Sequence, residues 1–196
     1  MSTVVADMSV SLDGFVADPA GRVDRVFAWY AKPQPPSQPP EGPTEGEAPG
    51  LRVVVYGRRT FEQAKGWGGR HPTGPPVIVV THDIPAGWPR EGAAVSFVTN
   101  GIKGATEQAE AIAGDGMIAL GSPSIIQQCL NLGLVDRIQV KVVPVLLGAG
   151  IRLFGDLTRD PVELETPTVV EGNGVTHLHY RVADRRQTVV DRKPWR

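Results

Sequence analysis

Two glycine-containing segments of this sequence have the pattern that binds phosphate groups in α/β proteins. Gly57 follows the apolar run Arg52 to Tyr56, and Gly121 follows the apolar run Met117 to Leu120. In both segments a predicted strand ends at the glycine and a predicted helix begins directly after it. Ligands bind at the carboxyl ends of strands in open α/β sheets, and the amides of a helix N-terminus favour an anion. The two segments therefore predict a phosphate-binding edge.

The side chains beside these glycines suit the same chemistry. Arg58 and Arg59 follow Gly57, and guanidinium groups bind phosphate oxygens in bidentate fashion. Thr60 offers a hydroxyl that either caps its helix or meets a phosphate. The fingerprint G-x-G-x-x-G of many dinucleotide sites is absent from the chain. Taken alone, a glycine that ends a strand is more often structural than functional.

Composition argues against several other classes of protein. Twenty Lys and Arg residues balance twenty-one Asp and Glu residues, so the net charge is -1. Such a chain lacks the basic excess that binds a nucleic acid backbone. The single cysteine, Cys129, allows neither a disulfide within the chain nor a cysteine-based zinc site. The N-terminus does not resemble a secretory signal, and no apolar run is long enough to span a membrane, so we expect a cytoplasmic protein.

The order of the predicted elements indicates an α/β fold. Strands and helices alternate through the middle of the chain, which predicts a mostly parallel central sheet flanked by helices. A closing antiparallel hairpin is predicted from two β-rich runs around Glu171 to Gly174. The predicted strands are 3–9, 52–56, 77–81, 95–98, 117–120, 137–143, 162–170 and 175–182; the predicted helices are 23–30, 60–65, 106–113 with Thr106 as N-cap, and a helix capped by Ser122 and stopped at Gly133.

We expect a single domain over residues 1–183, followed by a tail over 184–196. Residues 31–50 are rich in proline and glycine, which cannot sustain a helix or a central strand. This segment is predicted to be an extended, mobile surface loop.

Four segments in order resemble the dihydrofolate reductase-like superfamily, and especially its branch of riboflavin-biosynthesis reductases. The resemblance spans residues 4 to about 182, outside the proline-rich loop. It is carried by Ser11-Leu12-Asp13-Gly14, by Gly57-Arg58-Arg59-Thr60-Phe61-Glu62, by Leu120-Gly121-Ser122, and by Gly133-Leu134-Val135-Asp136 with Pro144 to Gly150 and Leu153-Phe154. The resemblance implies a dihydrofolate reductase-like fold and NADPH as cofactor.

The resemblance also implies roles for individual residues. It places the cofactor phosphates near the first glycine turn, the adenosine end after the next strand, and the diphosphate or nicotinamide near the second glycine turn. An arginine at the first turn also suits the 2′-phosphate that distinguishes NADPH from NADH. The expected cofactor-binding residues are Gly57, Arg58, Arg59, Thr60, Thr81, His82, Gly121, Ser122, Ser124 and Ile125.

The implied function is NADPH-dependent reduction, by hydride transfer, of a small heterocyclic substrate of the pterin or ribosylaminopyrimidine type. The alternative is a non-catalytic nucleotide-binding protein on the same fold. Two sequence features depart from the family pattern: Arg137 stands where a second acidic residue is common, and Gly121 is followed by serine rather than glycine.

Asp13 and Asp24 are the candidate catalytic residues. Asp13 is equally compatible with a turn before Gly14, and Asp24 with a solvated helix position. His177 and His179 share one strand face, but no third ligand is evident, so no metal site is predicted. Cys129 is expected in the core, and Trp67 either walls a pocket or packs. The exposed closing hairpin predicts a homodimer.

Overall fold

A mixed sheet organises the part of the chain that the computed structural model describes, which is residues 1–33, 50–155, 157–158 and 161–183. Most of the predicted loop and the whole predicted tail lie outside these residues. The strands are β1 (Thr3–Ser11), β2 (Phe15–Ala17), β3 (Leu51–Gly57), β4 (Val77–Val80), β5 (Val95–Val98), β6 (Met117–Leu120), β7 (Arg137–Val143), β8 (Ile151–Arg152), β9 (Thr168–Gly172) and β10 (Val175–Arg181).

Eight strands form the main sheet in the order β5-β4-β3-β6-β1-β7-β10-β9. The first six pair in parallel, and β10 pairs antiparallel with both β7 and β9. The predicted fold class is therefore confirmed. The predicted strand 162–170 was wrong in extent, because only Thr168–Gly172 continues the ladder and Leu164 forms an isolated bridge to Val182. The two-stranded sheet of β2 and β8 was not predicted, since both strands are very short.

One face of the sheet is covered by two helices. The α-helices of the described residues are α1 (Asp24–Phe27), α2 (Arg58–Gln63), α3 (Gly101–Ala113) and α4 (Pro123–Leu132). The apolar sides of α3 and α4 pack on the sheet, and this is the largest core cluster. Gly133 ends α4 in a left-handed conformation at φ 71°, as its sequence predicted.

The predicted start of α3 was wrong. This helix begins at Gly101, and the Thr106 hydroxyl donates within it to the carbonyls of Ile102 and Lys103 at 3.1 and 2.9 Å. Thr106 is therefore an interior residue and not an N-cap. Burial of Ile102 and Ala105 against the sheet outweighs the low helix propensity of the glycines in this first turn.

Two separate segments cover parts of the opposite face. Phe61 of α2 packs over the β3–β5 side, together with the 3₁₀ turn Lys65–Gly69. Trp29, in the 3₁₀ turn Ala28–Ala31 after α1, packs over the β7 and β10 side. Ala6 of β1 pairs with Leu120 of β6, so the middle of β1 lies next to the glycine turn at Gly121.

Candidate functional site

The two glycine turns meet in the structure. Because β3 and β6 are neighbouring parallel strands, their carboxyl ends lie side by side. The Gly57 amide donates to Ser122 Oγ at 2.9 Å, and Ser122 Oγ donates to Thr60 Oγ1 at 2.7 Å. Ser122 occupies the N-cap position of α4, but its hydroxyl does not cap that helix. It joins the two turns instead, which corrects the expected capping role.

Ser124 and Ile125 approach Gly57 from the first turn of α4. A Cβ atom added at Gly57 would lie 3.5 Å from Ser124 Oγ and 3.7 Å from Ile125 Cγ1. The structure therefore brings together the residues that were expected at the cofactor phosphates and those expected at the diphosphate or nicotinamide side. Glycine is required at position 121 for a different reason, because a Cβ atom there would overlap the ring of Tyr56.

The arginine side of the site adjoins the end of β4. Arg58 forms an ion pair from Nε to Glu62 Oε1 at 2.8 Å, and its Nη1 donates to the Asp83 carbonyl at 3.3 Å. Thr81 is buried, and its hydroxyl donates to the same carbonyl at 2.7 Å. Arg59 and His82 are exposed. The expected adenosine-side residues thus border the same edge as Arg58.

Neither α2 nor α4 carries an acidic residue in its first turn. Arg58 and Arg59 add two positive charges at this edge, and the Glu62 carboxylate is paired with Arg58. This arrangement can hold an anion such as a phosphate.

Asp13 lies in the turn between β1 and β2, away from the joined glycine turns. Its carboxylate accepts hydrogen bonds from Ser11 Oγ at 2.5 Å and from the amides of Leu147 and Gly148 at 3.1 and 2.7 Å. The Ser11 hydroxyl is the main reason that the pKa of Asp13 is lowered to about 2, and the two amides add to it against the effect of desolvation. Asp13 therefore fastens the 147–148 turn to the end of β1.

Asp24 is exposed in the first turn of α1. The structure brings neither Asp13 nor Asp24 into hydrogen-bond contact with the joined glycine turns. Catalytic roles for these two residues stay predictions.

The turn held by Asp13 gives a test in acid. The folded pKa of about 2 lies below the ordinary value near 3.9. The carboxylate's contribution is therefore present above about pH 4 and is lost as the pH falls toward about 2. We expect Asp13→Asn to lower the urea midpoint at pH 6, and this difference from the wild type to shrink steadily in acid. Asp24→Asn is the control, and a constant difference for Asp13→Asn across the pH range would contradict the expectation.

An ion pair on the face of the sheet opposite α3 and α4 was missed by the sequence analysis. Lys141 Nζ of β7 lies 2.5 Å from Asp7 Oδ1 of β1, and the two side chains are only 11% and 18% exposed. Burial by itself would lower the pKa of Lys141, but Asp7 and the Tyr30 side chain outweigh burial and raise it. Lys141 is therefore a fixed positive charge inside the protein. The signal in the sequence was weak: Asp7 stands in the mostly apolar start of β1, and Lys141 continues the alternating polar positions of β7.

The sequence analysis also did not predict that Tyr56, Trp67 and His71 pack together. The Tyr56 ring lies 4.8 Å from the Trp67 ring, and Tyr56 Oη is 3.1 Å from His71 Nε2. Trp67 has a positive φ of 48°, which is uncommon for a residue with a side chain. Burial raises the pKa of Tyr56. Trp67 thus packs on a ring that borders the second glycine turn, and its alternative role as a pocket wall stays a prediction.

Several other candidate residues are structural. Asp136 Oδ2 accepts a hydrogen bond from the Val4 amide at 2.8 Å, so it fixes the start of β7 against β1. Cys129 is fully buried, as expected, and burial raises its pKa to about 12. His177 lies edge-on to Trp29, with ring centroids 5.3 Å apart.

Two features are absent from the described ranges. No group of three or more His, Cys, Asp or Glu residues among them is arranged to hold a metal ion. Nor does any helix in the same ranges have the length and apolar character needed to cross a bilayer.

The fold defines the class of protein. A protein of Shewanella sp. PV-4 assigned to riboflavin biosynthesis is similar with a TM-score of 0.65 and 23% identity, over 94% of this chain and 100% of that chain. A dihydrofolate reductase from Enterococcus faecalis, complexed with NADP(H), gives a TM-score of 0.57 and 14% identity, over 93% and 97% of the chains. The chain has a dihydrofolate reductase-like fold.

Family membership follows from the sequence. The family model described as the RibD C-terminal domain matches residues 2–173. This chain belongs to that family, which confirms the resemblance drawn from the motifs. A relative from Bacillus subtilis (strain 168), the uncharacterized protein YwjB, is 24% identical over 173 residues, which is 88% of this chain and 94% of YwjB.

Proposed function

We propose that this protein is an NADPH-dependent reductase that transfers a hydride to a small heterocyclic substrate of the pterin or ribosylaminopyrimidine type. The observation that carries the proposal is the junction of the two glycine turns, with Arg58 and Arg59 at its edge. Membership of the RibD C-terminal domain family supports the reductase class. The dihydrofolate reductase neighbour that was complexed with NADP(H) supports the choice of nucleotide.

The residues of the junction fit a phosphorylated dinucleotide. Arg58 and Arg59 would hold the 2′-phosphate, with His82 at the adenosine end. The amides that open α2 and α4 would face the diphosphate, with Thr60, Ser122 and Ser124 as hydroxyl partners. NADPH, when bound, supplies the hydride. The chain's own task is to hold the nicotinamide end at Gly121, beside the strip of sheet formed by β1 and β6.

The arginine edge predicts selectivity for NADPH. We expect Arg58→Ala to weaken NADPH binding by about 1.5–3 kcal/mol, the usual worth of a charge-assisted hydrogen bond, and NADH binding by much less. Isothermal titration calorimetry with each nucleotide measures both effects. Arg58 is exposed and pairs with Glu62 on the surface, so little loss of stability should accompany the substitution.

Arg52→Ala is the matched control for this experiment. Arg52 is an exposed arginine at the start of the same strand, β3, and thus at the opposite edge of the sheet. Equal losses in the two variants, or unchanged NADPH affinity in Arg58→Ala, would refute the phosphate assignment. Tight NADPH binding without oxidation across a panel of pterins and aminopyrimidines would instead favour a non-catalytic nucleotide-binding protein.

We also propose that the protein forms a homodimer through its closing hairpin. β9 is the last strand of the main sheet, and Val169 on this strand is 55% exposed. Val169 pairs directly with Leu178 of β10, so both side chains lie on one face of the hairpin. An edge strand with an apolar face is usually paired or covered, and a two-fold contact between copies would bury it.

Light scattering tests the dimer. The wild type should have twice the 21.0 kDa mass of one chain, and Leu178→Asp should have the mass of a monomer. Ile112→Asp is the control, because Ile112 is an exposed apolar residue of α3, near the other end of the sheet. A monomeric wild type at micromolar concentration would rule the dimer out.

A further inference from the structure

A tyrosine and a buried lysine lie next to the proposed nicotinamide end. Lys141 forms a buried ion pair with Asp7 on one face of the sheet, and it also forms a hydrogen bond with the Tyr30 side chain. Lys141 is almost wholly buried, whereas Tyr30 is 44% exposed. Of these three residues, Tyr30 is thus the most accessible to a substrate.

The register of the strands places this group beside Gly121. Leu120 of β6 pairs with Ala6 on one side and with Val55 on the other. The next residues along the three strands, Asp7, Gly121 and Tyr56, are therefore level across the sheet. Asp7 and Tyr30 both act electrostatically on Tyr56, whose ring lies against Gly121. The group thus borders the glycine turn that is assigned to the nicotinamide.

The titratable groups that face Tyr30 and Lys141 come from several strands. β1 contributes Asp7, β3 contributes Tyr56, and β10 contributes His177, which pairs directly with Lys141. Burial, and then Lys141, lower the pKa of His177, so this imidazole is neutral near pH 7. Lys141 is the positive charge of the group, and Asp7 is its partner.

We propose that Tyr30 is the proton donor of the reduction, with Lys141 and Asp7 as the positioning residues that stabilise its phenolate. This proposal rests on the proposed reductase function and specifies its substrate. The substrate must present a polarised C=O or C=N bond whose heteroatom gains a proton as the carbon gains a hydride. Some substrates are recognised through a hydrogen bond to a carboxylate of the protein. Asp7 would not provide that carboxylate, because it is already paired with Lys141.

The proposed step balances in atoms and charge. The new C–H bond forms from the hydride that NADPH, when bound, would supply as its own C–H bond breaks and it is oxidised to NADP+; the π electrons of the double bond move to the heteroatom. Tyr30 Oη gives its proton to that atom, and the O–H bond of the tyrosine breaks. The Lys141 ammonium stabilises the phenolate that remains. A proton from solvent then restores Tyr30, so the sum is addition of one hydride and one proton to the double bond.

Two features distinguish this arrangement from a purely structural ion pair. A buried pair contributes little net stability, because desolvating both charges opposes their attraction. A structural pair also needs no hydroxyl that reaches the surface. The interaction between two ionisable groups is reciprocal. Because the Tyr30 side chain stabilises the charged form of Lys141, the charged lysine also stabilises the phenolate of Tyr30.

Spectrophotometric titration of tyrosinate tests the proposal without a substrate or nucleotide. The chain has three tyrosines, and burial moves the ionisation of Tyr56 to higher pH. The difference between wild type and Tyr30→Phe therefore isolates the Tyr30 phase. We expect Tyr30 to ionise at least about tenfold more readily than an ordinary tyrosine, whose pKa is near 10. Ionisation at or above that ordinary pH would overturn the proposal.

Two further variants assign the effect to its cause. Tyr180→Phe should leave the Tyr30 phase in place, because Tyr180 contacts the α4 side of the sheet. Lys141→Gln should move the phase to higher pH, and an unmoved phase in the folded variant would exclude Lys141 as the cause. If Lys141→Gln does not fold, the comparison of wild type with Tyr30→Phe still decides. Failure of this titration is separate from failure of NADPH binding, since no nucleotide is present.

Discussion

Asp7→Ala is expected to lower the free energy of unfolding by about 3–5 kcal/mol, the cost of leaving one charge of a buried pair without its partner. The Lys141 side chain is 11% exposed, and its Nζ lies 2.5 Å from the Asp7 carboxylate. Without that carboxylate, the lysine must either lose its proton in the folded protein or keep an uncompensated charge. Both outcomes favour the unfolded chain. Urea unfolding at pH 7, followed by circular dichroism, measures the loss.

A double-mutant cycle separates the charge from the packing. Asp7→Ala combined with Lys141→Met removes both charges, so it should be clearly more stable than Asp7→Ala alone. Asp115→Ala, at an exposed acidic position, is the control and should change stability by no more than about 0.5 kcal/mol. If the double variant were as unstable as the sum of the two single variants, the two residues would not be coupled.

The architecture was predictable because its strands are apolar on both faces. Runs such as Val53 to Val55 and Val77 to Val79 are wholly buried between α3 on one side and α2 with its aromatic neighbours on the other. A continuous apolar run of that kind indicates a central parallel strand. The short strands β2 and β8 gave no such signal, because their pairing depends on where two loops meet.

The glycine turns were predictable, but their connection was not. Each strand-to-helix junction follows from local sequence, and parallel neighbours bring the junctions to one edge. The direction of the Ser122 hydroxyl depends on a contact with Gly57, which is 65 positions away in the sequence. Local capping rules assigned this hydroxyl to its own helix. A tertiary hydrogen bond took precedence, because the Gly57 amide lies within reach.

The Asp7–Lys141 pair could not be predicted from the sequence. Asp7 follows a mostly apolar run in β1, and Lys141 follows Arg137 and Gln139 at alternate positions of β7, a pattern that an exposed sheet face would also give. Only the order of the strands shows that β1 and β7 are neighbours and that both charges point to one face. The same order puts the pair beside Gly121, so topology turns two isolated charges into a group next to the proposed cofactor.

Gly150→Ala is expected to destabilise the protein by much more than the equivalent change at the nearby Gly148. A Cβ atom at Gly150 would overlap the backbone carbonyl oxygen of Ala17, which ends β2. Backbone atoms cannot move aside as a flexible side chain does, so β2 and β8 would have to separate. Gly150 also has a φ of 142°, a conformation that residues with a side chain rarely adopt. Overpacking should add about 1–3 kcal/mol to that backbone cost.

Gly148 supplies the matched comparison for this prediction. Its φ is 73°, and an added Cβ atom would meet nothing within 4 Å. Gly148→Ala should therefore lose only the backbone preference, about 1–2 kcal/mol, and it keeps the amide that donates to Asp13. The urea midpoints of the two variants separate two costs within one loop. Gly148→Ala measures the cost of backbone strain alone, and the further loss in Gly150→Ala measures the cost of the steric overlap. Equal destabilisation would mean that the contact between Gly150 and the end of β2 does not hold this loop in place.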